Sequence, residues 1–95
     1  MQNVMRVVRW QGSARARLRA VLDYVSDRDE DAADRLEAQI HDRVGQLTDW
    51  PGIGRPGRIA KTRELLVHPN YFVVYRLVGE EIVILRILHA RQRYP

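Results

Sequence analysis

The chain contains no cysteine, which excludes disulfides and thiolate metal sites. Lysine is nearly missing as well: Lys61 is the single lysine among 16 basic side chains. The rest are arginine, whose planar fork suits carboxylate and phosphate, although a GC-rich genome favours the same bias. No segment approaches the roughly 20 apolar residues that span a bilayer. The opening "MQNVMRVVRW" is too short for a signal peptide, and Arg6 and Arg9 interrupt it. These absences predict a cytoplasmic protein with no membrane partner.

Acids are scarce in the second half. Residues 1–50 carry eight arginines against nine acids, whereas residues 51–95 carry seven arginines and Lys61 against Glu64, Glu80 and Glu81. The net charge of +4 therefore belongs to the C-terminal half, and a local excess of this kind points to an anionic partner. A chain of 95 residues suffices for one domain spanning 1–95, with a thin stability margin that a partner would help.

What is present reads as β-α-α-β-β-β. Val4 to Trp10 alternates as a strand, with Val4, Val8 and Trp10 on one face. Gly12 breaks it, and Ser13 is a candidate cap for a helix from Ala14 to about Ser26, whose apolar positions are Ala14, Leu18, Val21, Leu22 and Val25. The polar "SDRDED" leads into a second helix, Asp31 to Asp49, with Ala33, Leu36, Ile40, Val44 and Leu47 as its stripe. Trp50–Pro51 ends it, because proline disfavours helical geometry in the residue before it.

"PGIGRPGR" then reads as a loop. It is not a Walker loop, since Arg58 and Ile59 stand where that pattern needs lysine and a hydroxyl residue. Three strands follow, Ile59–Val67, Tyr71–Val78 and Ile82–His89, separated by "HPNY" and "GE". The expected fold class is α+β, an antiparallel sheet packed by a helical hairpin.

An arginine interrupts one face of each late strand: Arg63, Arg76 and Arg86. An unpaired charge on an apolar face costs several kcal/mol, so each needs solvent or a partner such as Glu64. Strict alternation places Arg86 with Ile82, Ile84 and Leu88. The densest polar group is His89, Arg91, Arg93 and Tyr94, which is open to three readings: a solvated tail, a nucleic-acid contact or a reaction site. For metal-free RNA cleavage His89 is the candidate acid or base, with Arg91 and Arg93 as phosphate clamps. No metal site, cofactor site or Ser-His-Asp arrangement follows from the spacing.

"DAADRLEAQI…LTDWPGIGRPGR", "KTRELLV" and "NYFVVYRLVGEEIVILRILHARQRYP" together resemble the RelE/ParE superfamily, the toxins of type II toxin–antitoxin modules. The resemblance implies a sheet packed by a helical hairpin, a growth-inhibiting toxin and a cognate antitoxin held in a hetero-oligomer. It also implies one of two targets. RelE-like members cleave mRNA in the ribosomal A site with basic residues and a C-terminal tyrosine or histidine, which would make this chain a metal-independent endoribonuclease using His89 and Arg91. ParE-like members are associated with DNA gyrase and have no established nuclease activity. Phe72 stands where RelE-like chains often have arginine, only Lys61 appears in the second strand where they tend to have lysines, and "LHARQRYP" resembles a ParE-type ending. The closer resemblance is to the ParE branch, with Arg63, Arg76, His89, Arg91, Arg93 and Tyr94 as candidate target-binding residues. A non-toxic basic binding module is the remaining alternative.

Overall fold

The computed structural model describes residues 5–95; Val4 of the expected first strand lies outside them. The element order is β1 (Val7–Trp10), α1 (Gly12–Ser26), α2 (Glu30–Gly45), a 3-10 turn (Gln46–Thr48), β2 (Arg55–Pro56), β3 (Arg63–His68), β4 (Tyr71–Val78) and β5 (Glu81–His89). The α+β class and the β-α-α-β-β-β order both hold, with a two-residue strand added inside the connector.

The strands form one sheet in the order β1-β5-β4-β3-β2. It is mixed where a purely antiparallel sheet was expected, because β1 pairs parallel with β5 while the remaining neighbours are antiparallel. The connection between these two parallel strands runs through the helical hairpin and then back through β2, β3 and β4, which meets the need of a parallel pair for a long crossover.

Local chemistry explains the helices. α1 starts at Gly12, earlier than expected, and Gln11 occupies its N-cap with no side-chain bond; Ser13 lies inside the helix. Asp29 caps α2 by accepting from the Ala32 N–H at 3.0 Å, and Glu30 and Asp31 complement the dipole in its first turn. Their buried residues, Ala14, Leu18 and Val21 on α1 and Ala33, Leu36, Ile40 and Val44 on α2, repeat every three or four positions. The regular helix stops at Gly45, and the 3-10 turn carries Leu47 into the core before Trp50.

These helices cover one face of the sheet. Leu18, Leu36, Ile40 and Leu47 pack on Leu65, Val67, Val73, Tyr75, Ile82, Ile84 and Ile87, with Val8 and Trp10 at the margin. No helix among the described residues is long and apolar enough to cross a membrane.

Candidate functional site

The opposite face of the sheet has no helix over it. Its apolar patch is small: Phe72, Val74 and Leu88, covered by the ring of Tyr94 returning after β5. Residues reach this face by two routes. On β3 and β4, simple alternation directs Glu64, Phe72, Val74 and Arg76 away from the helices, as the sequence predicts. On β5 alternation fails, because the register slips between Val74↔Arg86 and Tyr75↔Ile84.

Leu85 is the extra residue of this bulge, so Leu85 and Arg86 fall on the same side of the sheet. Ile82 and Ile84 pack under the helices, whereas Leu88 joins the open-face patch and Arg86 lies 5.6 Å from the Tyr94 ring. The expected grouping of Arg86 with Ile82 and Ile84 is thereby corrected. The bulge moves a guanidinium out of the core, where it would have lacked a partner.

At the centre is a carboxylate. Glu64 is only 4 % exposed, although it is an acid near the start of β3, between Arg63 and the apolar Leu65–Val67. Its Oε1 accepts from Arg55 Nε at 3.0 Å and lies 2.8 Å from Arg55 Nη2. Its Oε2 accepts from the Arg58 backbone N–H at 3.3 Å and from the Tyr94 hydroxyl. Arg58 Nε lies 3.7 Å from the same oxygen. Burial alone pushes the Glu64 carboxyl up, but donors from Tyr94, Arg55 and Arg58 outweigh it and hold the group below the ordinary carboxylate range.

Tyr94 completes the network. Its carbonyl accepts from Arg58 Nη1 at 3.2 Å, and the same guanidinium lies 4.6 Å from the centre of its ring. Burial, reinforced by its bond to Glu64, raises the phenol above its usual range. The hydroxyl is thus a donor committed to Glu64, and the carboxylate is no free base. The arrangement fixes Arg55 and Arg58, whose outer surfaces remain open to solvent, above a packed patch.

The sequence-predicted residues divide between locations. Arg63 lies on the helix side, where its Nη1 donates to the carbonyls of Gly54 at 2.7 Å and Gly52 at 3.4 Å. Arg76 is exposed at the end of β4. His89 pairs with Tyr71, its ring 5.4 Å away edge-on, and its Nδ1 accepts from the Arg91 N–H at 3.1 Å. Tyr71 packs at the margin of the helix-covered core, so His89 and Tyr94 belong to opposite faces of the sheet. Arg91 and Arg93 are exposed.

Sequence reasoning passed over Arg55 and Arg58, treating their segment as a plain connector. The available signal was Glu64 itself, an acid inside "RELLV" that demanded donors, with two arginines three residues apart just upstream.

The geometry is that of a small mixed sheet under one helical hairpin, with an arginine-bearing opposite face closed by Tyr94. Residues 8–94 match the family described as the ParE toxin of the type II toxin–antitoxin system parDE. The chain belongs to this ParE toxin family, and membership implies a cognate antitoxin partner.

It is 36 % identical over 88 residues to "Putative toxin Y4kP" of Sinorhizobium fredii, covering 93 % of this chain and 92 % of that protein. It is 34 % identical over 86 residues to "Toxin RelE2" of Caulobacter vibrioides, covering 90 % and 97 %. A solved structure titled "Chromosomal ParDE TA system from P. aeruginosa" matches with a TM-score of 0.79 and 28 % identity, covering 90 % of this chain and 96 % of that one.

Proposed function

We propose that this ParE-family toxin arrests growth in the cytoplasm by poisoning DNA gyrase and is neutralised when its antitoxin binds. The observation that carries this reading is the engagement of Tyr94. Its phenol is committed to Glu64 and raised above its usual range, so it offers no ready proton acceptor for RNA cleavage. His89 lies on the other face, with Nδ1 occupied by a backbone N–H. Acid and base groups are therefore not gathered around one reacting phosphate. What the surface offers is groups for contact, the guanidinium groups of Arg63, Arg76, Arg91 and Arg93 and the imidazole of His89, with Tyr94 acting through Arg58 and, by way of Glu64, Arg55.

The test is a supercoiling assay with purified toxin. Inhibition, with accumulation of a cleaved DNA–gyrase complex, is the expected result; neither effect at stoichiometric excess overturns the proposal. The likeness to a protein named RelE2 favours one second reading, a ribosome-dependent endoribonuclease. That reading expects sequence-biased cuts in transcripts, lost in His89→Ala or Arg91→Ala. Binding of a purified antitoxin should restore gyrase activity in the same assay.

A further inference from the structure

The glycine-rich connector that fails as a Walker loop has another use in the fold. With the start of β3 and the end of β4 it walls a cleft of about 490 Å³. Pro51, Pro56 and Leu77 provide apolar surface there, and Lys61, Arg63 and Arg76 provide three cations. No acid lines the cleft, and among the described residues none of the three cations lies within ion-pair distance of a carboxylate.

The walls are braced. The Tyr75 hydroxyl donates to the Pro51 carbonyl at 2.7 Å and accepts from the Gly54 N–H at 3.0 Å, while Arg63 holds the Gly54 carbonyl at 2.7 Å. Gly54 is required by this approach, since a Cβ there would lie 2.6 Å from the Tyr75 hydroxyl. Lys61, the single lysine, has a left-handed backbone with φ of 65°, a strained setting for a residue other than glycine. Strain of this kind is a pointer to function when a specific outlier is observed.

Three like charges in a concavity repel one another and raise the local potential, which an entering anion relieves. We propose that this cleft receives an acidic polypeptide segment. Its carboxylates would sit among Lys61, Arg63 and Arg76, and an apolar side chain would rest on Pro51, Pro56 and Leu77. A nucleic-acid strand fits less well. The one aromatic ring of the lining, Tyr75, is only 1 % exposed, so bases find no stacking platform. This inference does not depend on gyrase being the target.

The probe is a short fluorescent peptide of glutamate, aspartate and leucine, titrated into the purified full chain by anisotropy. Saturable binding that weakens as salt rises is expected. Lys61→Glu and Arg76→Glu should each weaken it by about tenfold or more. Arg19→Glu, the same charge change on α1, should alter it by less than about twofold. Lys61 and Arg76 are exposed, and unchanged thermal melts would show that the variants fold. Absence of saturable binding at low salt overturns the proposal, as does an equal loss in Arg19→Glu. A single-stranded oligonucleotide that binds more tightly than the peptide and is lost in Arg76→Glu also overturns it, in favour of phosphate.

Discussion

The sheet face under the helical hairpin and the face opposite it are built from the same strands but bury different chemistry. The covered face is an apolar core drawn from both helices and from β3, β4 and β5. The open face buries the apolar side chains of Phe72, Val74 and Leu88 together with one carboxylate, and closes them with arginines and a tyrosine. Hydrophobic packing is non-directional, so it stabilises the first face without positioning any group in particular. Charge-assisted hydrogen bonds are directional, so the second face sets where Arg55 and Arg58 stand. The two faces therefore divide stability from positioning, and substitutions on each should separate the two.

The largest effect is expected on the covered face. Ile40 is fully buried, and Ile40→Ala should cost about 3–4 kcal/mol, measured by urea unfolding. Such a loss removes much of the stability of so short a chain.

Glu64→Gln comes next, at about 2–3 kcal/mol, because hydrogen bonds to a buried charge are lost or weakened. Its signature is pH dependence. The Glu64 carboxyl is lowered in the folded state, so its contribution is complete above the ordinary carboxylate value and is lost as pH falls through the folded value. Unfolding midpoints should therefore fall less steeply with acid in Glu64→Gln than in the parent chain. Parallel curves would show that the carboxylate is not what holds the open face.

Tyr94→Phe keeps the ring on Phe72 and Leu88 but removes the donor to Glu64. A cost of about 1 kcal/mol is expected from the same denaturation measurement. The smallest effect should come from the exposed pair at the β1 edge, where Arg9 Nε lies 3.2 Å from Glu81. Arg9→Ala should change stability by less than about 0.5 kcal/mol and should shrink further in high salt. A loss as large as that of Glu64→Gln would erase the contrast between buried and exposed ion pairs.

Much of the covered face is legible in the sequence. The stripes through Leu18, Leu36 and Ile40 and the alternation of β4 follow from local periodicity, and local periodicity is written in neighbouring residues. The open face is less legible because its parts are far apart: Arg55 and Arg58 come from a connector, Glu64 from β3 and Tyr94 from the chain's end. Their meeting depends on strand order. Spacing alone grouped His89 with Tyr94, but pairing with Tyr71 turns the imidazole to the other face. Arg86 was misplaced for a related reason: a bulge adds one residue, and a single residue reverses which face every later side chain occupies.

By itself the sequence determined the element order, the helix stripes, the basic second half and the resemblance to a toxin superfamily. All of these are carried by composition, short-range spacing and ordered motifs. Tertiary structure alone decided that β1 runs parallel to β5, that Arg86 faces away from the core, and that Glu64 collects Arg55, Arg58 and Tyr94. It also turned "PGIGRPGR" from a connector into the wall of a cationic cleft. These outcomes rest on long-range pairing and on the requirement that a buried charge find its donors, wherever along the chain those donors lie.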